Sequence, residues 1–170
     1  MSAATPSPAP GLVYGDVPNR IIAIIIDGIV LAVINAVIFG VIFAIVSGVI
    51  GSVVSGIIGL AIGGFYFVYL WTNNRATLGM RVLSLQIGTA GTGTTITRDQ
   101  AIRRWLALYA IFTIAQVLTS GLPGIGAVVS FLALGWVIFL LWTTSQSPTK
   151  QGWHDKFANT QIVKAANAVS

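Results

Sequence analysis

Apolar residues run along this chain in two long blocks. From Ile21 to Asn74 the only charged residue is Asp27, and from Trp105 to Thr149 there is none. As one helix the first block would be about 80 Å long, against a hydrocarbon core of about 30 Å, so it must fold back. The Ser/Gly cluster SGVIGS (Ser47–Ser52) predicts that reversal, with spans near 21–46 and 53–71. In the second block SGLPGIG (Ser120–Gly126) separates two arms, near 105–119 and 127–142. Both arms are short, so Trp105–Trp142 is either two full spans or a re-entrant hairpin. The fold class predicted is an all-α integral membrane protein with four transmembrane helices, a cytoplasmic loop and a cytoplasmic tail.

Composition sharpens this. The chain is 55% hydrophobic and 8% charged, where soluble domains carry about 25% charged residues. It has no cysteine, which removes disulfides, thiolate metal sites and cysteine nucleophiles together. It has no glutamate and one histidine, a thin inventory for catalysis; no enzyme activity, cofactor or metal is expected. The start, MSAATPSPAPG, lacks both the basic residues and the apolar core of a signal peptide. Residues 1–18 are therefore predicted as a disordered tail, residues 19–164 as the membrane domain, and residues 165–170 as a C-terminal tail.

Charge sets the topology. Thr72–Arg104 carries five arginines against one aspartate, and the tail from Thr143 carries three lysines against one aspartate. The two tight turns carry no charge. With four spans every Lys and Arg falls on one side, and the positive-inside rule makes both termini cytoplasmic in a prokaryotic plasma membrane. The aromatic residues Tyr66, Tyr69, Trp71, Trp105, Tyr109 and Trp142 lie at the same ends of the spans, as an interfacial belt would. The basic residues are read as this anchoring, and no nucleic acid partner is expected.

Ser47, Gly51, Ser55, Gly59 and Gly63 recur every fourth position, about 400° of helix, and form one drifting stripe of small residues. Such stripes let backbones approach closely in lipid. The contact is either with the first span of the same chain or with another subunit.

Arg20 and Asp27 are seven residues apart, so they share a helix face, offset by about 10 Å, with Ala23 between them and Asn35 deeper in. A carboxylate at mid-bilayer costs about 2.5–3.5 kcal/mol on insertion scales, so Asp27 requires a partner or a proton. Two readings follow: a buried ion pair that fixes helix register, or a cation or proton site.

Three polar segments complete the inventory. TRDQAIRRW (Thr97–Trp105) opens with Thr97 and Gln100 at capping-box spacing, so a helix starts before the bilayer and carries Arg103 and Arg104. GTAGTGTT (Gly88–Thr95) lacks the ending of a P-loop and is read as the tip of a short β-hairpin between RVLSLQI and TITR. In QGWHDKFANTQIV (Gln151–Val163) the neighbours His154, Asp155 and Lys156 lack the further ligands of a metal shell and any serine motif; a polar knot at the interface is expected.

Taken together, RIIAIIID (Arg20–Asp27), TLGMRVLSLQI (Thr77–Ile87), the Arg103–Arg104 pair and HDKFANTQIV (His154–Val163) resemble the RDD family of small prokaryotic multi-pass proteins. The match puts the family's arginine on Arg20 and its two aspartates on Asp27 and Asp155. Met80 stands where the family commonly has lysine. The resemblance implies that the tail folds back to the first span, with Arg20 bridging to Asp155 while Arg103, Arg104 or Lys156 meets Asp27. Two functions remain open. One is a non-enzymatic accessory, assembly or oligomer-forming subunit with other membrane subunits or itself as partner. The other is a cation/proton antiporter using Asp27 and a monovalent cation, which some family members imply.

Overall fold

The computed structural model describes residues 8–121 and 124–166. In chain order the elements are β1 (Leu12–Tyr14), α1 (Val17–Ile45), α2 (Gly48–Asn74), α3 (Leu78–Val82), β2 (Gln86–Thr89), α4 (Arg98–Gly121), α5 (Gly126–Gln146), α6 (Trp153–Phe157) and β3 (Thr160–Ala165). Among the described residues three helices, α1, α2 and α5, are long and apolar enough to cross a membrane. Ile25, Ile29, Val33, Val37 and Val41 form an exposed row along α1 at a spacing of four. A row of that kind faces lipid, and the bilayer is its contact.

The chain is mostly helical rather than all-α. Three short strands form an antiparallel sheet in the order β1-β3-β2. The strand closest to the C-terminus is central because TQIV is apolar or β-branched at three of its four positions and buried throughout. β2 pairs with it through Gln86↔Val163 and Thr89↔Thr160. The hairpin expected between RVLSLQI and TITR is therefore not formed. Thr89 closes the loop by a backbone hydrogen bond to Thr94, and β2 takes the tail as its partner instead.

β1 corrects a second expectation. It lies inside the segment predicted to be a disordered tail and pairs with β3 from Leu12↔Ala165 to Tyr14↔Val163. Backbone bonds from Gly15 to Ile162 and from Ala166 to Gly11, 2.9 Å each, extend the ladder. Residues 1–7 and 167–170 lie outside the described residues, as does part of the predicted turn Ser120–Gly126.

The first reversal is tighter than SGVIGS suggests. α2 already begins at Gly48, whose positive φ of 73° turns the chain, and the cluster forms the first turn of the helix. Gly51 packs against the Val46 carbonyl, and a Cβ at Gly59 would come within 2.9 Å of the Phe39 ring and 3.4 Å of Asn35 Oδ1. Gly63 and Gly64 instead face the Trp105 indole of α4. Ser55 is buried, while Ser47 is the exposed N-cap. The stripe thus drifts from α1 to α4 within one chain.

The core lies at the sheet end of the helices, where Ala23, Phe67, Trp71, Met80, Leu85 and Ile87 pack together. Met80 is buried there, a place where a lysine would need its own anion.

Candidate functional site: two carboxylates at the sheet end

Arg20, Ala23 and Asp27 are the buried residues of α1. Their spacing of three and four turns them toward the sheet end, away from the lipid-facing row. From this one face Arg20 and Asp27 enter two different constellations.

The first is centred on Asp155, fully buried at the middle of α6. Arg20 Nη1 donates to its Oδ2 at 2.9 Å, and Arg104 Nη1 donates to its Oδ1. The Gly152 amide adds a third bond to Oδ2 at 3.1 Å. Arg20 also donates from Nε to the Gly15 carbonyl at 3.0 Å and from Nη2 to the Ile162 carbonyl at 3.4 Å. Arg104 donates to Thr160 Oγ1 at 2.7 Å and lies 5.4 Å above the Trp71 ring. One carboxylate thereby ties α1, α4, α6 and the sheet together.

Burial alone would raise the Asp155 pKa. The Arg104 and Arg20 guanidiniums overcome it and hold the carboxyl well below the usual carboxylate range. Beside it, burial pushes the His154 imidazole down to about 4, against the pull of Asp155, so the ring is neutral at pH 7. Its Nε2 lies 3.4 Å from Asp155 Oδ2.

A group whose folded pKa is depressed stabilises the fold above its unfolded pKa, and that stability is lost as pH falls. Between about pH 6.5 and 4, His154 is thus expected to lower stability by about 1 kcal/mol per pH unit. Thermal melts of His154→Gln across that range should show a flatter pH dependence than wild type. An unchanged slope would assign the acid sensitivity elsewhere.

The second constellation holds Asp27, which is 2% exposed. Tyr66 donates its hydroxyl to Oδ1 at 2.7 Å, Thr77 donates to Oδ2 at 2.6 Å, and the Gly79 amide donates to Oδ1 at 2.8 Å. Thr77 is also the N-cap of α3, accepting from the Met80 amide. The approach requires Gly79, because a Cβ there would collide with the Ala23 carbonyl of α1.

The basic partner expected for Asp27 is absent among the described residues. Arg104 belongs to Asp155, Arg103 pairs with Asp99 in a solvent-exposed i,i+4 bridge, and Lys156 is exposed. Neutral donors replace it, because three hydrogen bonds suffice to solvate a buried carboxylate. Asn35 stands apart, donating to the Leu31 carbonyl at 2.8 Å.

Tyr66, Thr77, Gly79 and Thr160 are site residues that no charge pattern marks. Thr77 and Gly79 do fall in the quoted TLGM segment, and a threonine three residues before a helical amide is an N-cap signal. The capping box at Thr97 and Gln100 forms with bonds of 2.9 and 3.2 Å, and Gln100 also donates to the Asn159 carbonyl.

Between the constellations lies a cavity of about 350 Å³, bordered by Arg20, Asp27, Trp71, Arg104 and His154 at one end and by apolar side chains of α1, α4 and α5. Among the described residues no three His or Asp side chains converge as a metal shell would require.

Apolar membrane-length helices with a sheet and buried charges at one end define a multi-pass membrane protein. The family model of the RDD family matches residues 14–159, most of the chain, and the chain belongs to that family. No curated protein and no solved structure matches it.

Proposed function

We propose that this RDD protein is a non-enzymatic accessory, assembly or oligomer-forming subunit of a prokaryotic plasma membrane. Its carboxylates lock the cytoplasmic cap onto the membrane helices. The observation that carries this reading is that both buried aspartates have their oxygens committed to donors of the same chain. A group so committed is poorly placed to take a proton from substrate or to bind a cation.

In this reading α1, α2, α4 and α5 all span, with the sheet and both termini cytoplasmic. Of the 24 residues of α4, the uncharged 105–121 reach about 26 Å, close to the hydrocarbon thickness of about 30 Å, and the basic residues gather at the sheet end as the positive-inside rule requires. The chain lacks cysteine, so Thr92→Cys and Ile125→Cys can be labelled singly with an impermeant maleimide. They should react from opposite sides of the membrane; reaction from the same side removes the four-span arrangement. Affinity purification in mild detergent should retain another membrane protein or a defined oligomer. A lone monomer would overturn the subunit reading.

One observation favours the antiporter as a second reading: Asp27 borders the cavity. Its donors argue the other way, since hydroxyl and amide hydrogens aimed at a carboxylate occupy the positions a cation would need.

A further inference from the structure

Two short helices turn the same pattern outward. In α3, Gly79 and Met80 are buried while Leu78, Arg81 and Val82 are exposed. In α6, His154 and Asp155 are buried while Trp153, Lys156 and Phe157 are exposed. Each helix thus presents an apolar pair one turn apart, with a cation beside its second member. Val82 is 69% exposed and Phe157 52%, and the Trp153 and Phe157 rings stack at 5.2 Å. Neither Arg81 nor Lys156 makes an ion pair among the described residues.

Depth decides what covers these faces. α1, with 29 residues and a length of about 44 Å, crosses the hydrocarbon core and both headgroup layers. Gly79 packs against the Ala23 carbonyl, about 9 Å from the start of α1, which places α3 at the boundary of headgroups and hydrocarbon. The Trp153 amide donates to Thr143 Oγ1 at 3.1 Å, in the last turn of α5. From there the indole reaches Trp136 and Phe139, with ring centroids 5.4 and 6.4 Å away, so it points along α5 toward the bilayer interior. Both placements rest on the spanning arrangement proposed above. Apolar groups directed inward, beside a cation that can snorkel outward, match in order the acyl chains and the phosphate of a phospholipid. Two cations without acidic partners select an anionic one. We propose that α3 and α6 are paired anchors that seat the cap on anionic phospholipid. Leu78, Val82, Trp153 and Phe157 lie at the acyl boundary, and Arg81 and Lys156 meet the phosphates.

The test uses the full chain in phosphatidylcholine–phosphatidylglycerol vesicles, spin-labelled singly through Val82→Cys, Phe157→Cys, Ile29→Cys or Thr92→Cys. Depth is read from collisions with oxygen and with a water-soluble nickel chelate. Labels at 82 and 157 should lie shallower than the label at 29 and be shielded from nickel relative to the label at 92. With unlabelled protein, spin-labelled phosphatidylglycerol should be immobilised in preference to spin-labelled phosphatidylcholine. Arg81→Gln/Lys156→Gln should lower that preference about fivefold and leave the melting temperature near wild type, because both side chains are exposed. Arg98→Gln/Lys164→Gln removes the same charge from outside both helices and should retain most of the preference.

Labels at 82 and 157 as open to nickel as the label at 92, with the label at 29 still in hydrocarbon, would overturn the anchors and leave the spans intact. A label at 29 open to nickel would remove the spanning arrangement and the anchors with it. Equal loss of lipid preference in the two double variants would assign it to net charge and refute the site. Spin–spin broadening between labels at 82 or at 157 would give these faces to a second copy of the chain instead.

Discussion

Asp155→Asn is expected to be the most damaging single substitution in this protein. It removes the anion shared by Arg20 and Arg104, both nearly inaccessible to solvent. Breaking a buried pair by deleting one partner costs about 3–5 kcal/mol, because the remaining charge keeps its desolvation penalty. Here two charges are left, and an asparagine amide directs its own hydrogens at one of them. The melting temperature in detergent should fall by roughly 10 °C or more, and protease should release the C-terminal strand. Arg103→Ala is the matched control: its bridge to Asp99 is exposed on both sides and should contribute under about 1 kcal/mol. Equal effects of the two substitutions would show that Asp155 does not clasp the cap.

Asp27→Asn is expected to be the next most damaging. An asparagine can keep its oxygen facing Tyr66 and Gly79, but its amide nitrogen then faces Thr77, whose hydroxyl hydrogen must turn away. Exchanging charge-assisted for neutral hydrogen bonds, with one donor misdirected, should lower stability by roughly 3 kcal/mol. Gly79→Ala strikes the same joint from the other side by driving a Cβ into the Ala23 carbonyl. The double variant should lose less than the sum of the singles, because they share one contact. Neutralising Arg104 should give no rescue, since it makes no ion pair with Asp27. Stability is to be measured beside sodium- or potassium-dependent dissipation of a pH gradient in proteoliposomes. If Asp27→Asn melts like wild type yet loses an exchange activity that wild type shows, Asp27 is a transport group.

Both expectations rest on contacts of different legibility. Arg20, Ala23 and Asp27 share a face because of helical repeat alone, so their co-alignment could be read before any fold was known. The same holds for the capping box at Thr97. Each depends on residues within a few turns of one another, where geometry is set by 3.6 residues per turn.

The sequence by itself determined that this is a membrane protein with long apolar helices, that most of its charges gather in the loop between the two apolar blocks and in the tail, and that Arg20, Asp27 and Asp155 stand in the order and spacing of the RDD family. Only the tertiary structure decided who meets whom. Asp155 joins Arg20 across 135 positions and Arg104 across 51, while Asp27 takes donors 39, 50 and 52 positions away. Charge complementarity suggested an arginine for Asp27, but a carboxylate is also solvated by hydroxyl and amide hydrogens, and a backbone amide leaves no mark in the residue code. The strand order was hidden for a related reason. A strand pairs through main-chain groups common to every residue, so β2 chose between a nearby segment and the distant tail by which side chains could be buried on both faces, and that is known only once the helices have brought the tail within reach.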